Sequence, residues 1–132
     1  MKKDIPIKKV TDIAIAVVPS EEDKNFWNVY LLNLKKEEIK NVFISSRGYG
    51  EIDGEKVETT QLRYFYEYIG AEMAVKIEPI DSKLFQLANE YWISFNYDGF
   101  MYDKKYVFVQ GSFIEVNLTH IPIVEKRGVM IQ

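Results

Sequence analysis

Glu90-Tyr91-Trp92-Ile93-Ser94-Phe95-Asn96-Tyr97-Asp98-Gly99-Phe100-Met101-Tyr102-Asp103-Lys104-Lys105-Tyr106-Val107-Phe108-Val109 is the stretch that decides the fold. Bulky residues alternate with polar ones on both sides of Asp98-Gly99. A period of two is that of a half-buried β-strand. Asp-Gly between two such runs is the strongest short-range hairpin signal, because a type I′ turn needs positive φ at both central residues. A two-residue turn sets Tyr97 opposite Phe100, Phe95 opposite Tyr102 and Tyr91 opposite Tyr106. One face of the hairpin is then aromatic on both strands, interrupted by Ile93 and Lys104. Such cross-strand pairs contribute ~0.2–1 kcal/mol each. This face is expected to be core, with the tyrosines at its margin, Tyr97 and Tyr102, and Phe100 beside them, available as a sticky surface.

Outward from the hairpin, the same period recurs. Strands are expected over residues 11–18, 25–34, 41–47 and 73–80. Both sides of 11–18 are apolar, so that strand is expected to be buried on both faces. Val29, Leu31, Val42, Ile44, Val75, Ile77, Ile93 and Phe95 form the expected core. Gly48 and Gly50 flank Tyr49 and are expected to end the third strand. Asp53-Gly54 marks a short edge ribbon over 51–58. Residues 60–69 read as a helix: Leu62, Phe65, Tyr66 and Ile69 follow helical spacing, with Thr60 as N-cap and Gly70 at C′, and a strand is the competing reading because aromatics are good strand formers. A helical turn is expected within 81–88. Ser112 with Glu115 suggests a capping box. The expectation is a mainly β, antiparallel sandwich of about seven strands with one short helix. A barrel is the runner-up.

With 132 residues the chain fits one domain, the sandwich covering roughly 11–109 and a C-terminal extension 110–132. Ile5-Pro6-Ile7 and Ile121-Pro122-Ile123 are the same apolar tripeptide. Proline cannot donate to a sheet ladder, so both fit edges. The tail from Leu118 is expected to pack on the sandwich, or on a second copy.

Trp27-Asn28-Val29-Tyr30-Leu31-Leu32-Asn33-Leu34, then Ile39 and Val42-Phe43-Ile44, resemble strands B and C of immunoglobulin-like sandwiches. Ala74-Val75-Lys76-Ile77-Glu78-Pro79 resembles strand E. Tyr91-Trp92-Ile93-Ser94-Phe95 resembles strand F, with Tyr91 near the place of a tyrosine corner. That resemblance implies a phenol bonded to nearby backbone. Both cysteines of antibody domains are missing. More narrowly, the whole chain resembles a family of small uncharacterised bacterial proteins, some of which carry a phenylalanyl-tRNA synthetase name. The class II synthetase motifs with their ATP-binding arginines are not in this sequence, and it is too short for that catalytic core. A shared fold does not transfer an activity.

The residue inventory narrows the chemistry. The absence of cysteine excludes a disulfide scaffold, thiolate metal sites and a Cys nucleophile. His120, the one histidine, lies in an apolar stretch without a nucleophile motif. Asp98 and Asp53 are turn residues, and with Asp103 they do not make the six to eight oxygens of a calcium site. Glu51 with Asp53 or Glu58 could pair as glycosidase carboxylates, but 20 acids make chance pairs common. No cofactor is expected. Net charge is −3 with no basic stripe, which argues against nucleic acid. The opening lysines lack a following apolar core, and no run approaches a membrane span, so a cytoplasmic protein without membrane contact is expected.

Arg47-Gly48-Tyr49-Gly50 is the most site-like segment. It could present Arg47 and Tyr49 to a partner, both being common interface anchors. A tight turn is the plainer explanation. The expected function is a non-catalytic module that binds another protein or itself, through Arg47, Tyr49, Tyr97, Phe100 and Tyr102. The alternatives are a small-ligand or saccharide binder using exposed Tyr and Trp, and an enzyme. A concave pocket with convergent polar groups would favour the ligand binder, and a flat apolar patch the interaction module.

Overall fold

The computed structural model describes residues 8–132. In chain order the strands are β1 (Ile13–Pro19), β2 (Phe26–Asn33), β3 (Ile39–Ile52), β4 (Glu55–Glu58), β5 (Leu62–Ile69), β6 (Met73–Asp81), β7 (Ala88–Tyr97), β8 (Phe100–Phe108), β9 (Thr119–Ile121) and β10 (Lys126–Ile131). Short 3-10 turns span Ser82–Gln86 and Glu115–Asn117. One sheet has the order β6-β2-β1-β10-β9. The other runs β4-β3-β7-β8, with β5 also on β3. All of the pairings are antiparallel.

The two sheets face each other across one apolar layer. Ile13, Ile15, Val17, Val29 and Leu31 come from the first sheet, and Val42, Ile44, Ile93, Phe95, Tyr106 and Phe108 from the second. Of the expected core, only Val75 falls outside the buried residues, and it packs against the same layer. One end is plugged by aromatics: Phe85 stacks on Phe113 at 4.1 Å, and Trp27 meets both edge-on.

The hairpin register is as expected, with Tyr97 opposite Phe100, Phe95 opposite Tyr102 and Tyr91 opposite Tyr106. Asp98 and Gly99 have φ of 50° and 78°, and Asp53 and Gly54 repeat this at 52° and 80°. Both turns therefore place two residues in the left-handed region, as type I′ requires.

β1 is buried on both sides because the tail covers its outer face. Ala14, Ala16 and Val18 pack with Ile121 there, and Val124 and Met130 adjoin them. β10 pairs with β1 through Val129, Met130 and Ile131. Ile121 closes β9, and Pro122 lies in the turn beyond it. The tail is thus part of the sheet rather than an appendage. Ile5-Pro6-Ile7 lies outside the described residues.

Three expectations are corrected. Residues 60–69 do not form a helix; Leu62–Ile69 is β5, paired along β3 from Ser46↔Leu62 to Ile39↔Ile69. The helical spacing has a local cause. Asn41 sits at φ 50°, where the β3–β7 register slips, and this breaks the alternation. Tyr64, Tyr66 and Ile69 all pack on the core although the last two lie three apart. Next, Gly48 and Gly50 do not end the third strand, which continues to Ile52. A Cβ on Gly48 would stand 3.1 Å from Thr59 Cγ2 and 3.2 Å from Asn89 Oδ1, so this glycine serves close approach rather than a turn. Finally, no capping box forms: Ser112 Oγ donates to the Val109 carbonyl at 2.6 Å, and Ile114 holds the N-cap position.

β4 and β5 line up along the same edge of β3. Gly48 and Thr59 are bonded to each other there, with Thr59 N–H donating to Gly48 O at 2.9 Å and Gly48 N–H to Thr59 Oγ1 at 2.7 Å. The next paired position is Ser46↔Leu62. Two steps along β3 therefore match three along its partner, which is a β-bulge at Thr60-Gln61 opposite Arg47.

Candidate interaction surface

The outer face of the β3-β5-β7-β8 sheet carries a group of exposed aromatics. Alternation along β3 sends Val42, Ile44 and Ser46 inward and Phe43, Ser45 and Arg47 outward. Register then assembles two rows across neighbouring strands. Phe65, Phe43, Ser94 and Asp103 form one; Arg63, Ser45, Trp92 and Lys105 form the other. Phe43 is 55% exposed, Phe65 50% and Trp92 48%. The Phe43 and Phe65 rings lie 4.7 Å apart, and a shallow hollow of about 230 Å³ runs between Phe43, Arg63 and Trp92. Met101 extends the apolar surface towards the Asp98-Gly99 turn.

Beside this patch, Glu90 is buried on the same outward face, opposite Arg47 in register. Arg47 Nε donates to Glu90 Oε2 at 3.2 Å, and its Nη1 to Glu58 at 3.0 Å. Lys105 Nζ stands 3.9 Å from Glu90 Oε1, and the Tyr49 hydroxyl donates to the same oxygen at 3.4 Å. The guanidinium lies over the Tyr49 ring at 4.9 Å. The hydrogen bond and the charge of Glu90 hold the Arg47 guanidinium above its ordinary pKa. Burial, with the same carboxylate, raises that of the Tyr49 phenol.

The sequence-selected residues fall into two groups. Arg47 and Tyr49 are together on the outward face. Tyr97, Phe100 and Tyr102 cluster at the other end, Tyr97 and Tyr102 with rings 6.0 Å apart. The run from Glu90, opposite Arg47, to Tyr97 is about 24 Å at ~3.4 Å per residue. Tyr102 stacks on buried Phe95 at 5.3 Å, and Tyr97 donates to Glu37 at 2.7 Å. That hydrogen bond, more than burial, raises the Tyr97 phenol to about 12. Phe100 remains partly exposed. The five therefore do not make one continuous surface.

Phe43, Phe65 and Trp92 lie outside the sequence-selected surface residues. Their signal was present: each is a bulky residue on the polar phase of its strand. Phe65 was hidden by the helical reading of β5. His120, the lone histidine, is exposed and pairs with Glu125 in the terminal hairpin. Among the described residues no three His, Asp or Glu converge as metal ligands. No helix there is long and apolar enough to cross a membrane. No protein-family model matches this chain, and no curated protein matches it in sequence.

Proposed function

We propose that the protein is a non-catalytic cytoplasmic binding module whose partner, a second protein or a second copy of itself, docks on the outer face of the β3-β5-β7-β8 sheet. The observation that carries this reading is the contiguous exposure of Phe43, Phe65 and Trp92. Large rings left wet on adjoining strands forgo ~25 cal/mol per Å² of burial that a partner would supply. Arg63 and Lys105 at the rim, with paired Arg47 behind them, suit a partner surface that is apolar with acidic margins. Arg47 and Tyr49 contribute a rigid border, since their side chains are already fixed by Glu90.

The strand order supports an immunoglobulin-like topology. β1, β2 and β6 share a sheet and β3, β7 and β8 share the other, as strands A, B, E and C, F, G do in that architecture.

Phe43→Ser combined with Trp92→Ser tests the surface. Exposed substitutions should leave the melting temperature nearly unchanged. Self-association in sedimentation, or a cross-linked partner from cytosol, should be lost in the double variant. Unchanged partners and unchanged sedimentation would refute the reading.

A further inference from the structure

A second feature lies between the sheets, where the edge strands β5 and β6 part. Here a cleft of about 360 Å³ opens to solvent. Glu78 points into it because of a bulge. Val29 pairs with Glu78 and Tyr30 with Lys76, so Ile77 is the extra residue on β6. Ile77 and Glu78, although consecutive, both face inward, and Lys76 faces out. The bulge at Thr60-Gln61 borders the same cleft from the opposite sheet. Bulges commonly re-aim a side chain beside a site, and here one stands on either wall.

The Glu78 carboxylate is held by hydroxyls alone. Ser46 Oγ donates to Oε1 at 3.0 Å, Tyr64 to Oε1 at 2.5 Å and Tyr91 to Oε2 at 2.9 Å. Among the described residues no lysine, arginine or histidine lies within ion-pair distance of it. The buried Glu90, by contrast, has Arg47 and Lys105 as built-in cations. Each carboxylate oxygen has two lone-pair sites, so Oε2 keeps one free. Asn89 adds a second acceptor. Its Nδ2 is committed to the Leu84 and Leu87 carbonyls at 3.0 and 3.2 Å, leaving Oδ1 on the cleft side next to Gly48. Leu62, Ile80 and Leu84 supply apolar wall.

We propose that this cleft is a binding site for a small organic cation: a primary ammonium on a short apolar body. The ammonium donates to Glu78 and Asn89, and its carbon chain rests on Leu62, Ile80 and Leu84. The charge arithmetic selects this class. Arg47 also borders the cleft, but its guanidinium is engaged by Glu90 and Glu58, so the partly buried Glu78 carboxylate, held only by neutral donors, is left to gain from an incoming cation. A divalent metal asks for six or more oxygens, and Glu78 is the one carboxylate lining the cleft.

The test is amide chemical-shift titration of the full chain with n-butylammonium, with butyrate and 1-butanol as probes of charge and of apolar burial alone. Butylammonium should shift the amides of Ser46, Thr59, Tyr64, Glu78 and Tyr91 saturably; butyrate and butanol should not. Glu78→Gln should weaken binding by about tenfold or more, the scale of one lost charge-assisted hydrogen bond. Leu62→Trp, at the exposed mouth, should block the cleft without touching the Glu78 cluster, and it decides the matter if Glu78→Gln does not fold. Equal response to butanol, or binding unchanged in both variants, would overturn the proposal and leave Glu78 as a structural clamp.

Discussion

The Tyr91 hydroxyl donates to Glu78 Oε2 at 2.9 Å, joining β7 of one sheet to β6 of the other. The immunoglobulin-like resemblance implied a bond from Tyr91 to nearby backbone. The phenol instead crosses the sandwich, whereas the buried Tyr106 hydroxyl donates to backbone, at the Ile13 carbonyl, 2.7 Å away.

Removal of the Tyr91 hydroxyl should therefore weaken, without abolishing, the polar link between the sheets, since Ser46 and Tyr64 also donate to Glu78. Tyr91→Phe keeps the packing and deletes one charge-assisted bond. The expected loss is ~1–3 kcal/mol by urea unfolding. Tyr106→Phe should cost a similar amount, because it leaves the Ile13 carbonyl short of a partner. Unchanged midpoints in both would show that these hydroxyls contribute nothing.

Alkaline pH should destabilise the protein through the same tyrosines. Burial is the main cause that raises Tyr64, Tyr91 and Tyr106 above the ordinary value of 10.0, and the Glu78 carboxylate adds to it for the first two. A phenol whose folded pKa is raised keeps its proton when the unfolded chain has lost it. Its stabilisation is complete below about pH 10 and is lost as pH rises towards the folded pKa. Unfolding free energy should be flat on this account below pH 10 and fall above it. Phenolate absorbance should lag that of the denatured chain. A folded-state titration matching free tyrosine would contradict the buried hydroxyls.

The turn at Asp98-Gly99 isolates a backbone effect. A Cβ at Gly99 would meet nothing within 4 Å, but φ is 78°. Gly99→Val should cost ~1–3 kcal/mol from strain alone. Gly54, at φ 80° in equally open space, should behave alike. No shift in melting temperature for either would mean that the turns relax to another type.

Gly128 is the opposite case. An added Cβ would fall 2.6 Å from the Val17 carbonyl oxygen, a backbone atom that cannot swing away. Gly128→Ala should push β10 off β1 and destabilise by ~1–3 kcal/mol. Truncation after Gly111 goes further, uncovering Ala14, Ala16 and Val18, and should leave a chain that no longer melts cooperatively. A truncated protein as stable as the full chain would refute the role given to the tail.

Local periodicity and local backbone chemistry can be read along the chain without the fold. Alternation from Glu90 to Val109 with Asp98-Gly99 between fixed the hairpin, its register and its core face. Each pair follows from counting outward from a two-residue turn. The apolar run from Ile13 to Val18 likewise announced a strand with cover on both sides. What the strand was covered by, and which residues reached the candidate sites, was decided by tertiary structure. β5 carries helical spacing but forms a strand because β3 offers an open edge, and a kink at Asn41 shifts which side chains meet the core. Glu78 sits where alternation alone would not place it beside Ile77; a bulge against β2 turns it into the cleft, next to hydroxyls from Ser46, Tyr64 and Tyr91. Asn33 reads as an ordinary strand end, yet it is buried, and its Nδ2 bonds the Gly70 carbonyl at 2.9 Å. Bulges, kinks and cross-sheet hydrogen bonds depend on which strands become neighbours. That choice is made by contacts distant in sequence, so no window of the chain contains it.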